Sequence, residues 1–157
     1  MNSHLWYVSA LVMAMATPAI SETAPQDVVF AEGAVETSLT GVPGDPANGV
    51  KVMTTNALGN CVACHQIGAL PKVEFPGDIG PPLDGAASRW TEAQLRGLVS
   101  NAKMTFDGTF MPAFYKGQGY VRPGDGYSGK AGTEPLPPIL NAQQVEDVVA
   151  FLMTLKE

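Results

Sequence analysis

Cys61 and Cys64 stand three positions apart, His65 follows at once, and the 157 residues contain no other cysteine. Two thiols at this spacing can each form a thioether to one vinyl group of a haem, and the adjacent imidazole is then placed to meet the iron. C-x-x-C-H is therefore a c-type attachment signal. The competing reading is a disulfide or redox C-x-x-C followed by an unrelated histidine. No βαβ pattern surrounds the segment, as a thioredoxin-like site requires, and no further cysteine is present to complete a zinc site. A chain built around one such group must wrap it, and the 17 Gly and 13 Pro suit a wrapping chain. Pro lacks the backbone donor and Gly costs entropy inside regular elements, so short helices between long connections are expected.

The length allows one ordinary domain and one core, and 45% of the residues are hydrophobic. A formal charge of -6 and only nine Lys and Arg argue against nucleic acid, whose phosphates need a basic patch. A neutral or cationic protein partner fits better. Leu5 to Ala16 is apolar and uncharged, breaks at Pro18 and reaches small residues at Ala19 and Ser21. Residues 1–21 are read as a signal peptide cleaved after Ser21, since the apolar run is too short to span a membrane. The lack of Lys or Arg ahead of that run leaves an uncleaved anchor as the alternative. The reading places the mature protein in the periplasm, off the membrane. Removing residues 1–21 leaves the charge unchanged and removes His4, one of two histidines.

Residues 22–44 lack helical periodicity and close on Gly41-Val42-Pro43-Gly44, so they are assigned as an N-terminal arm ahead of a domain spanning 45–157. Asp45-Pro46 offers a cap and a preset φ, predicting a helix from Pro46 to about Ala57. Gln66 to Gly85 reads as loop. Thr91 with Gln94 forms a capping box, with Trp90 and Leu95 at staple positions, for a helix to about Ser100. Residues 101–138 return to loop composition, with Gly117 to Pro138 a long excursion. Asn141 caps a last helix, on which Val145, Val148, Val149, Leu152 and Leu155 share a face. The fold class is all-α.

The iron's sixth ligand is approached by elimination. The mature chain has no second histidine and both thiols are committed, which leaves Met53, Met104, Met111 and Met153. Met53 and Met153 lie at helical spacing, where methionine is usually core filler. Met111, in Gly108-Thr109-Phe110-Met111-Pro112, is held out of any helix by its neighbours and is favoured, with Met104 next. A His/Met pair raises the reduction potential, which suits an electron acceptor. Trp90, Phe106, Phe110, Phe114 and Tyr115 are candidates to pack around the porphyrin or in the core.

In order along the chain, Gly49 in a first helix, C-x-x-C-H, Gly80-Pro81-Pro82-Leu83-Asp84-Gly85, a G-T-x-M loop and a terminal helix resemble class I cytochrome c. The resemblance implies that fold around one covalent haem c, with Cys61 and Cys64 attached and His65 and Met111 axial. It also implies that the Pro81 carbonyl holds the other ring nitrogen of His65, that Arg89 meets a haem propionate, and that Gly49 lets the last helix cross closely near Phe151. Met53 departs from the family, which usually has an aromatic there.

A more specific similarity is to SoxX, the subunit that pairs with SoxA in the SoxAX cytochrome of sulfur oxidation. It rests on Gly59-Asn60-Cys61-Val62-Ala63-Cys64-His65, Phe75-Pro76-Gly77-Asp78, Gln94-Leu95-Arg96-Gly97, Asn101-Ala102-Lys103, Met111-Pro112-Ala113-Phe114-Tyr115 and Val145 to Leu152. The resemblance implies an electron-transfer subunit of an L-cysteine S-thiosulfotransferase. It would accept electrons while thiosulfate is coupled to a cysteine of the carrier SoxYZ, and pass them to a downstream cytochrome. The catalytic cysteine is expected on SoxA, because this chain has none free. The alternatives are a free-standing periplasmic carrier and a haem with an open, ligand-binding position. The arm and the 117–138 excursion, which a simple carrier can do without, favour the complex.

Overall fold

The computed structural model describes residues 22–124 and 129–157, so the expected signal peptide lies outside the described residues. Among the described residues four helices carry the architecture: α1 (Pro46–Thr54), α2 (Ala86–Arg89), α3 (Glu92–Asn101) and α4 (Ala142–Leu152). Single 3-10 turns lie at Pro25–Asp27, Cys61–Ala63 and Ala102–Met104. Among the described residues the only β pairing is two isolated bridges.

Each long helix begins for a local reason. The Asp45 side chain accepts from the Ala47 N–H at the start of α1. Thr91 and Gln94 exchange side-chain and backbone bonds at the start of α3, as do Asn141 and Gln144 at α4. α1 is shorter than the predicted run to Ala57. Thr55 turns extended, and the Thr54 and Thr55 hydroxyls donate back to the carbonyls of Val50 and Lys51, satisfying acceptors that further helix would have used.

α4 packs against both α1 and α3. Where α1 crosses α4, a methyl group on Gly49 would run into the Asp147 carbonyl and meet the Phe151 side chain, so only glycine permits the approach. Val52 and Met53 from α1, Leu95 and Val99 from α3, and Val145 and Val149 from α4 fill the core between them. Met53, where the family usually has an aromatic, is 1% exposed and serves as core filler.

Two buried carboxylates on α4 tie the ends of the chain together. Asp147 accepts from the Asp45 N–H at 2.8 Å, from Asn48 Nδ2 at 2.5 Å and from Gln143 Nε2 at 3.0 Å. Glu146 accepts both a two-pronged contact from Arg96 Nε, at 2.9 and 3.1 Å, and the Leu39 N–H at 2.7 Å. Arg96 also donates to the Val35 carbonyl at 3.0 Å and to Glu92. Burial alone would lower the Arg96 pKa, but Glu146 and Glu92 outweigh it and the net shift is upward. Residues 22–44 are thus bound to the helices. Val35 and Leu39 sit in the core, each contributing about 2 kcal/mol of apolar burial, and the Val35 N–H donates to the Ala93 carbonyl.

Candidate functional site

α1 delivers the chain to the attachment segment through a tight reversal. Gly59 N–H returns to the Val52 carbonyl, and Asn60 takes a left-handed conformation, φ 45°, that asparagine tolerates better than most residues. The chain then winds through the Cys61–Ala63 turn, where both Cys64 and His65 N–H donate to the Cys61 carbonyl. This brings the two thiols and the imidazole into one turn, all half-buried. Burial pushes the Cys61 thiol up to about 11.

The loop after His65 is laced onto this segment. Gly77 N–H donates to the Val62 carbonyl at 2.9 Å, Gly80 N–H to Cys64 at 2.8 Å and Leu83 N–H to Gln66 at 2.9 Å. His65 Nδ1 lies 2.7 Å from the Pro81 carbonyl oxygen. A carbonyl can only accept, so Nδ1 carries the proton and Nε2 keeps its lone pair for a metal. Gly80 lies against the imidazole face, where any Cβ would overlap the ring. In sequence Gly80 is visible only as part of a motif; its contact with His65 depends on how the loop folds back.

Arg89, at the end of α2, reaches into the same loop. Its Nη1 donates to the Asp84 carbonyl at 2.7 Å and its Nη2 to the Pro82 carbonyl at 3.1 Å, with Glu157 3.7 Å away. Arg89 therefore braces the backbone on either side of Leu83, next to the carbonyl that orients His65. Its remaining N–H donors could still meet an anionic group.

The four methionines separate by location. Met53 is core, and Met153 packs partly buried against the core beside the Arg96–Glu146 cleft. Met104 ends the Ala102–Met104 turn and is half exposed. Met111 lies in the loop, partly buried against the core, with its N–H donating to Thr109 Oγ1 at 3.2 Å and its carbonyl accepting from Lys103 Nζ at 2.6 Å. Of the aromatic candidates, Phe114 and Tyr115 are core residues. Trp90 and Phe106 meet edge to face with centroids 6.0 Å apart, and Phe110 is exposed.

The donor set fits a covalently attached haem. Two thiols share a turn with an imidazole whose free nitrogen is fixed by tautomer. Sequence reasoning missed the Lys103 contact and the Arg96–Glu146 pair. The pair had a signal: Arg96 falls four residues after Glu92 and three before Val99 on the buried stripe of α3, where a charge demands a buried partner.

The family model for cytochrome c matches residues 46–156. Among solved structures the chain is similar to SoxXA from P. pantotrophus, at 80% identity and a TM-score of 0.84, with 87% of this chain and 100% of that chain covered. Among curated proteins no match is found.

Proposed function

The chain belongs to the cytochrome c family and, within it, to the SoxX cytochromes, and on that premise we propose that it is the exported electron-relay subunit of a SoxXA-type thiosulfate-oxidising enzyme. It carries one haem c on Cys61 and Cys64. His65 and Met111 hold the iron, and a SoxA-type subunit supplies the catalytic cysteine. The chain accepts electrons as thiosulfate is joined to a cysteine of the SoxYZ carrier, and it discharges them to a downstream cytochrome in the periplasm. Among the described residues no helix is long and apolar enough to cross a membrane.

The observation that carries this reading is the 2.7 Å contact between His65 Nδ1 and the Pro81 carbonyl beside the paired thiols. When bound, the haem supplies a reversible one-electron couple that no side chain here offers. The residues do the rest. Cys61 and Cys64 anchor, leaving the chain no thiol to carry a sulfur adduct. Pro81 fixes the His65 tautomer and raises its basicity, and Gly80 and Arg89 hold the loop that presents Pro81. Met111 offers a soft thioether that favours ferrous iron and so a higher potential.

The test is an optical titration of the native complex, co-purified from its host, with thiosulfate and its carrier protein. Reduction of this haem is expected during turnover. A haem that stays ferric while coupling proceeds, or a chain that never purifies with a second haem protein, would remove the relay role.

A further inference from the structure

Between Asp107 and Ala113 the chain is held by little. Among the described residues its hydrogen bonds are Thr109 N–H to the Phe106 carbonyl at 3.4 Å, Met111 N–H to Thr109 Oγ1 at 3.2 Å, and Lys103 Nζ to the Met111 carbonyl at 2.6 Å. The first two are local to the loop. Only the third joins it to the helical frame, and the backbone is next tied down at the Phe114–Tyr115 peptide, whose carbonyl accepts from Leu140 N–H and whose N–H donates to the Ser100 carbonyl.

Lys103 is itself well rooted. Its N–H donates to Asn101 Oδ1 at the end of α3, and its neighbour Ala102 is buried at 1% exposure, with the Ala102 carbonyl accepting from both Thr105 and Phe106 N–H. Among the described residues no carboxylate forms an ion pair with Lys103, and its ammonium donates to the Met111 carbonyl. The short distance is that of a charge-assisted hydrogen bond.

We propose that Lys103 is a positioning residue for the axial methionine: it clamps the Met111 peptide to the end of α3, so that the thioether stays within reach of the iron while the rest of the loop is free to move. Pro112 stiffens the same peptide from the other side. The proposal rests on Met111 being the sixth ligand. It adds that the lifetime of the methionine–iron bond is set by a residue that does not touch the iron.

The experiment uses the haem-loaded full chain and follows cyanide binding to ferric iron at saturating cyanide, where departure of the methionine limits the rate. The reduction potential and the methionine-to-ferric-iron charge-transfer band are recorded alongside. Lys103→Met is expected to bind cyanide about tenfold faster and to show a lower potential, the low end of what losing a charge-assisted hydrogen bond produces, because the site is exposed. Lys103→Arg keeps a donor and should stay within about twofold of the parent. An acceleration below about threefold in Lys103→Met, or an equal acceleration in Lys103→Arg, overturns the clamp. Met111→Ala separates the two claims. If it retains the band, the ligand assignment itself is wrong; if it loses the band while Lys103→Met behaves as the parent, only the clamp is.

Discussion

His65 is oriented by backbone rather than by side chains. The Pro81 carbonyl fixes its proton on Nδ1, the bare Cα of Gly80 lies against its ring, and Arg89 holds the carbonyls of Pro82 and Asp84 so that neither contact can drift. Gly80→Ala would push a methyl group into the imidazole. A high-spin fraction in the ferric spectrum and a lower yield of haem-loaded protein are expected, and an unchanged low-spin spectrum would show that the ring is not confined there. Arg89→Gln would release two carbonyls at a half-exposed site, costing about 1 kcal/mol of thermal stability. It should also shift the haem potential, either through a lost propionate contact or through a loosened Pro81; a potential equal to the parent's removes Arg89 from the site. The motif could be named from residue identity, because covalent attachment needs those residue types at that spacing, and Pro81 followed from the resemblance to class I cytochrome c. The grip of Arg89 on the loop could not, since it joins positions whose proximity depends on the turn at Gly85.

At the scale of elements, the starts of the three long helices were legible, whereas the end of α1 and the short helix α2, which has no side-chain cap, were not. Asp45, Thr91 and Asn141 cap the helices that the local pattern predicts, and Asn141→Ala should cost about 1 kcal/mol by thermal melting. The end of α1 depends on two threonine hydroxyls that fold back on the last turn, a choice that helix propensity does not reveal. Helix crossing is more demanding. Gly49→Ala places a methyl group against the Asp147 backbone, and overpacking there is expected to cost about 1–3 kcal/mol, read as a lower Tm. The Arg96–Glu146 pair joins α3 to α4 at 5% side-chain exposure on both partners. Arg96→Met would leave Glu146 buried with the Leu39 N–H as its remaining partner, a loss of about 3–5 kcal/mol. A Tm within error of the parent would show that the buried pair contributes nothing net.

For the molecule as a whole, the informative segments are the two that the helical pattern left unassigned. Residues 22–44 look like a loose arm in sequence, yet Val35, Leu39 and the Arg96–Glu146 pair fix them to the helices. Among the described residues after Gly117, the Leu136 N–H donates back to the Gly117 carbonyl, and one carboxylate ties two further amides. Glu134 accepts from Gly119 N–H at 3.1 Å and Tyr120 N–H at 2.8 Å, and these bonds, assisted by Lys116, hold its pKa below the ordinary 4.5. A depressed folded-state pKa means that this anchor is fully present above pH 4.5 and is lost as the pH falls through the lower folded value. The amide proton shifts of Gly119 and Tyr120 should therefore titrate together with a midpoint below 4.5. A midpoint above that value would mean that Glu134 does not hold the turn.

What the residue order determined by itself was chemical and local: a haem-attachment signal, the caps, the apolar stripe of α4 and the shortlist of methionines. The first three depend on residues within a few positions of one another, where side-chain type and spacing leave little choice, and the last on which residue types the chain contains at all. The tertiary structure decided which loop backbone turns toward His65, which charges on the inner helix faces find each other, and how residues 22–44 come to rest on α3 and α4. Those outcomes depend on segments distant in sequence being brought to within a hydrogen bond, and that proximity is a property of the packed chain rather than of any stretch of it.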